Sequence, residues 1–262
     1  MKRVLEGVHM KIGFESQKGD TGILLLHGLS GTPSEVEPLG NFLSDKGIST
    51  LGPWLKGHDT SAADLAKTHW QDWAQSAQEG YDALRQHCSK VFVGGLSMGA
   101  LQALHLAAHF PVAGVISMAA PIRIFDFRFN GIAFFRFLQW RTSNLTGGIL
   151  DPSAPAHQTY PYVATKSLYE LKKLMGQVRQ DLPLITAPAL IFQGRKDSMV
   201  PPPNGDLVYQ SLGSPVKHLQ YLDRSDHVVT MDFDRRIVFE KAFKFIESGG
   251  QSIDTPPSPE AK

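Results

Sequence analysis

The sequence predicts an α/β fold: a mostly parallel central sheet, helices on both faces, and a small inserted cap. Two observations carry this expectation. Short apolar runs alternate with segments of helical periodicity along most of the 262 residues. In addition, Gly95-Leu96-Ser97-Met98-Gly99 follows the apolar run Val91-Phe92-Val93 and opens a helical segment. A strand that reverses into a helix within about two residues forces its turn residue into a strained conformation. Gly95 and Gly99 lack the Cβ that would collide where strand and helix nearly touch. The strained residue is a serine, so its hydroxyl is expected to stand out at the carboxyl edge of the sheet.

The elements follow in order. Residues 23–26 (Ile-Leu-Leu-Leu) read as a fully buried strand, followed by the glycine-rich loop His27-Gly28-Leu29-Ser30-Gly31. Ser34 and Glu37 form a capping-box pair for the next helix, in which Val36, Leu39 and Leu43 recur at helical spacing. Gly47 is its natural stop, and residues 48–51 make the next strand. Trp70, Trp73, Ala77, Tyr81, Leu84 and Cys88 mark one face of a longer helix. Strand 91–94, the serine turn with its helix, and strand 112–118 come next. Strand 189–193, helix 204–212, strand 217–222 and an amphipathic helix near 232–246 complete the alternation.

Residues 122–186 break the rhythm, with helical and loop-like pieces but no convincing strand. Their position suits a cap inserted into a core of residues 1–121 and 187–247, and residues 248–262 read as a disordered tail. The stretch is rich in aromatics, and Phe134, Phe135 and Leu138 are the candidates to line an apolar substrate pocket. Arginines interleave with these aromatics, a pattern that suits transient contact with a lipid interface.

Composition narrows the function. A formal net charge of +1 gives no global pull toward nucleic acid. No apolar run approaches the roughly 18 residues of a membrane span, so stable insertion is not expected. The first residues are too broken by polar side chains to form a secretory leader, and Cys88 is the one cysteine, so a cytoplasmic location is the default. On the apolar face of its helix, Cys88 reads as a small buried hydrophobe. No H-E-x-x-H motif or cysteine pair is present, so no metal or other cofactor is expected. The composition says nothing about oligomeric state.

A serine hydroxyl needs a general base to become a nucleophile. His227 follows the last predicted strand, on the sheet edge where Ser97 also sits, and is the candidate base. His27 and His58, in loops near that edge, compete with it. His87, His105 and His109 lie on helices and are expected to face solvent or satisfied partners. The third group must hold the imidazole in the right tautomer. Asp197 follows strand 189–193, which gives the chain order Ser, Asp, His. Asp223 and Asp226 are nearer in sequence, but adjacent side chains seldom face each other, so Asp226 reads as a turn residue. The backbone N–H groups of Met98 and Leu29 are the candidate oxyanion donors.

Together these residues resemble the α/β-hydrolase fold and, beyond it, the compact bacterial carboxylesterase and monoacylglycerol lipase family. The matching stretches are LLLHGLSGTPSEVEPLGNFLSDKG, GGLSMGA, SLYELKKLMGQVRQDLPLITAPALIFQGRKDSMVPP and SDHVVTMD. The resemblance spans nearly the whole chain except the tail, and is weakest from residue 125 to about 160. It implies nucleophile Ser97, acid Asp197, base His227 and oxyanion donors Leu29 and Met98, with a cap over an apolar acyl tunnel and a smaller alcohol pocket. The reaction it implies is hydrolysis of short- to medium-chain carboxylic esters or monoacylglycerols. A thioesterase or carbon–carbon bond hydrolase would use the same parts, because fold and triad do not fix the leaving group. A small-molecule receptor would keep the fold without turnover, and the apparently intact triad argues against it.

Overall fold

A computed structural model describes residues 10–124, 141–143 and 148–254. Its strands are β1 (Ile12–Ser16), β2 (Thr21–Leu26), β3 (Ser49–Pro53), β4 (Lys90–Leu96), β5 (Gly114–Met118), β6 (Arg141–Ser143), β7 (Tyr162–Ala164), β8 (Ala189–Gly194) and β9 (Lys217–Leu222). The helices are α1 (Glu37–Asp45), α2 (Ala62–Leu65), α3 (Trp70–Arg85), α4 (Met98–His109), α5 (Thr165–Asp181), α6 (Pro203–Ser211) and α7 (Arg235–Glu247). Seven strands form one sheet in the order β1-β3-β2-β4-β5-β8-β9. β1 runs antiparallel to β3, and every other pairing in that sheet is parallel.

Burial on both faces explains the unbroken apolar strands. Along β2, Leu24 and Leu26 point into one core, while Ile23 and Leu25 point into the other. The first core is filled by Trp73 and Tyr81 of α3, Leu101 and Leu104 of α4, and Leu174 and Val178 of α5. The second holds Leu39 and Leu43 of α1 with Val238 and Phe245 of α7. Fully burying one such side chain is worth about 1.5–3 kcal/mol, so the central strands hold helices above and below them. The chain leaves β2 toward β3 on one side and returns to β4 on the other. The loops after β2 and β4 therefore face each other at the switch point, where parallel sheets open a crevice.

Several local expectations are corrected. Ser34 does not cap the first helix. It lies in a 3-10 turn, Pro33–Glu35, and α1 starts at Glu37 behind Val36 with no side-chain cap. Pro33 and Pro38 fix two backbone angles there and set the entry in place of a capping serine. α3 ends at Arg85, so Cys88 lies in the turn beyond it; the residue is buried, and burial pushes its thiol pKa up. The stretch 122–186 does contain strands, since β6 and β7 pair as an antiparallel ribbon. Edge strand β1 was not anticipated, because its half-buried alternation is weak and interrupted by Gly13.

Candidate active site

Ser97 joins β4 to α4 with φ 56° and ψ −118°, in a region that L-residues seldom adopt. Its N–H donates to the Met118 carbonyl at 2.8 Å, which ties the turn to the end of β5. Two glycines make the reversal possible. A Cβ on Gly95 would lie 2.3 Å from the Gly99 carbonyl carbon, and one on Gly99 would lie 2.1 Å from the Leu26 oxygen. Both contacts are with backbone and cannot be relieved by a rotamer.

Asp197 follows β8, and its side chain is fully buried. Its Oδ1 accepts the N–H groups of Met199 at 3.0 Å and Val200 at 2.7 Å. Its Oδ2 accepts Gln193 Nε2 at 2.9 Å and lies 3.0 Å from His227 Nδ1. The carboxylate is thus held rigidly, and it turns the other ring nitrogen of His227 away from itself. Burial pulls the His227 pKa down. The charge and hydrogen bond of Asp197, with smaller contributions from Glu35 and Asp226, outweigh that effect and raise it.

The competing groups are engaged elsewhere. Asp226 accepts the Ser198 N–H at 2.7 Å and the Ser198 hydroxyl at 3.0 Å, so it braces the Asp197 loop. Asp223 pairs with Arg195 on the exposed surface. His27 Nε2 accepts the Leu55 N–H at 3.2 Å, and its Nδ1 lies 2.9 Å from the Gly28 carbonyl. His27 packs edge-on against His58, which in turn meets Trp73. Burial lowers the pKa of both imidazoles, that of His58 strongly, with the neighbouring His27 adding to the effect.

Ser97, His227 and Leu29 line one mostly apolar cavity of about 310 Å³, with Asp197 behind His227. Among the described residues no hydrogen bond joins Ser97 to His227; such bonds often tighten only when substrate is present. Met98 opens α4, so its N–H has no acceptor within the helix. The Leu29 N–H makes no hydrogen bond among the described residues. Phe134, Phe135 and Leu138 lie outside the described residues. From the same stretch of chain, Ile124, His157, Thr159, Leu168 and Leu171 reach the cavity.

One residue of this site was not anticipated. Glu35, 4% exposed, lies beneath the loop after β2. Its Oε2 accepts the Gly28 N–H at 2.7 Å, its Oε1 lies 2.6 Å from His157 Nε2, and its carbonyl accepts the Thr230 hydroxyl. A Cβ on Gly31 would lie 2.1 Å from Glu35 Oε1. The glycines of the loop therefore make room for a buried carboxylate. The spacing of Gly28 and Gly31 before Glu35 is the signal available in the sequence.

Residues 23–240 match the model of the alpha/beta hydrolase family. The chain belongs to that family. It is 36% identical over 236 residues to the thermostable monoacylglycerol lipase of Bacillus sp. (strain H-257), covering 88% of this chain and 92% of the lipase. It is 26% identical to a carboxylesterase of Bacillus subtilis (strain 168), covering 89% of this chain and 95% of the esterase. A solved structure from LipS and LipT, two metagenome-derived lipolytic enzymes, superposes with a TM-score of 0.86 at 29% identity. It covers 94% of this chain and all of that one. The resemblance to esterases and monoacylglycerol lipases read from the motifs is borne out.

Proposed function

We propose that this α/β-hydrolase is a serine carboxylic ester hydrolase acting on short- to medium-chain esters or monoacylglycerols. The observation that carries this reading is the convergence of the strained Ser97 and the Asp197-braced His227 on one apolar cavity. His227 takes the Ser97 proton as the hydroxyl oxygen attacks the ester carbonyl. The Met98 and Leu29 N–H groups receive the developing oxyanion. Protonated His227 then gives its proton to the departing alcohol, leaving an acyl-serine. Water, deprotonated by the same imidazole, attacks that ester, and His227 returns the proton to the Ser97 oxygen as the acyl bond breaks and the acid leaves. Asp197 keeps the Nδ1 proton in place throughout and stabilises the imidazolium. Glu35 holds the Gly28–Leu29 turn through the Gly28 N–H. No step calls for a metal, so hydrolysis assayed well below Tm is expected to survive EDTA; loss under those conditions that a divalent ion reverses would contradict this scheme.

Residues 122–186 act as the cap in this reading, and the cavity side chains that they contribute support it. No helix among the described residues is long and apolar enough to cross a membrane. A cytoplasmic location is proposed on the single cysteine, and any lipid contact is taken as transient.

An assay with p-nitrophenyl esters of graded chain length tests the reading. Each added CH₂ buried in the cavity contributes about 0.8 kcal/mol, so kcat/KM is expected to rise about three- to fourfold per carbon until the pocket is full. The optimum is expected at short to medium chains. Changing Phe134, Phe135 or Leu138 to Ala should shift that optimum and leave acetate hydrolysis in place. A profile unmoved by all three would assign these side chains to packing alone. A thioester counterpart cleaved far faster than the matched oxygen ester would favour the thioesterase alternative.

The raised pKa of His227 fixes the sign of the pH dependence. Catalysis needs the neutral ring, so kcat/KM should fall on the acid side with an apparent pKa above the ordinary imidazole value of about 6.5. Glu35→Gln removes a negative charge that holds the proton on, and should move this limb to lower pH. A limb unchanged in Glu35→Gln would mean that the carboxylate does not act on His227.

A further inference from the structure

Helix α4 carries His105 and His109 one turn apart, so both rings stand on one face. Against that face lies Asp181, the last residue of α5, whose side chain is 2% exposed. His105 Nδ1 lies 2.7 Å from Asp181 Oδ2, and His109 Nε2 lies 3.2 Å from Oδ1. Gln177, one turn earlier on α5, donates to Oδ1 at 3.0 Å. The His105 ring stands edge-on to Trp70, with centroids 5.5 Å apart. One ligand atom from each of His105, His109 and Asp181 lies within 4.8 Å of the other two. The ester chemistry uses none of them. At about 1.5 Å of rise per residue, the two histidines sit roughly 12 and 18 Å along the helix from Ser97.

We propose that His105, His109 and Asp181 form a structural site for a zinc-type transition-metal dication. Two imidazole nitrogens and one carboxylate oxygen suit Zn²⁺, whereas Mg²⁺ and Ca²⁺ favour oxygen-only sets. Three protein ligands leave the fourth tetrahedral position to water. His109, half-exposed at the rim, leaves a way in for the ion. Gln177 fixes the carboxylate from behind, the part an outer-shell partner plays in metal sites. For the ion to enter, each ring nitrogen facing Asp181 gives up its proton and the neutral ring keeps one on its other nitrogen. The bound ion would tie α4, which begins beside Ser97, to α5 of the proposed cap. It would bind the folded chain alone and so raise the unfolding temperature.

The test uses the full chain, stripped with EDTA and desalted, then titrated with Zn²⁺ by calorimetry and followed by thermal unfolding, with Mg²⁺ as control. We expect one Zn²⁺ per chain with Kd at or below about 10 μM. Zn²⁺ at 100 times Kd should raise Tm by about 5–10 °C, and Mg²⁺ should leave it unchanged. His109→Gln and Asp181→Asn should each weaken binding by at least about tenfold, while the exposed His87→Gln should not. His109→Gln removes a surface side chain and keeps the test valid if the buried Asp181→Asn misfolds. Absence of saturable Zn²⁺ binding in this range, or binding that His109→Gln retains in full, would overturn the proposal.

Discussion

Ser97→Ala is expected to yield a folded protein whose esterase kcat/KM is lower by about 10⁴-fold or more. The change deletes one half-buried oxygen and leaves the backbone of the turn as it is. Alanine carries the same Cβ at φ 56°, so the strain at this position is not altered. An unchanged Tm beside the lost rate would separate a missing nucleophile from a damaged core. A Ser97→Ala protein with normal turnover would remove the basis for the assignment.

Asp197→Asn is expected to lower kcat by about 10⁴, the size of the effect that the same change has in a serine protease. The reason lies in the four donors around the carboxylate. If the amide oxygen keeps the Met199 and Val200 N–H groups, the amide NH₂ faces Gln193 Nε2 and His227 Nδ1. His227 Nδ1 must then become an acceptor, which moves the ring proton to Nε2 and abolishes the base. The confronted donors also cost about 1–3 kcal/mol of stability, so rates should be compared well below the variant's Tm. Asp226→Asn keeps an oxygen for Ser198 and is expected to cost about tenfold or less. If Asp226→Asn were the more damaging change, Asp197 would not be the orienting acid.

What could be read from the sequence divides along physical lines. Ser97 was legible because a strand-to-helix reversal this tight demands glycines at fixed offsets, and Gly95 and Gly99 stand there. The parallel strands were legible because burial on both faces writes continuous apolar runs such as residues 23–26. Asp197 and His227 could be placed by chain order and by the strands they follow. Their hydrogen bond spans 30 residues and no local pattern encodes it. Glu35 has no local signature, since its partner His157 lies 122 residues away. The ribbon of β6 and β7 went unread because three-residue strands carry too little periodicity to register.

The central claim is that an acyl group passes through Ser97. The most direct measurement is covalent capture: inactivation with a serine-reactive alkyl phosphonate, followed by intact-mass analysis and peptide mapping. The account predicts one phosphonyl group per chain, on the peptide containing Ser97, with activity lost in proportion to labelling and no labelling in Ser97→Ala. A stoichiometric adduct on any other residue, or full turnover by a chain labelled at Ser97, would contradict it.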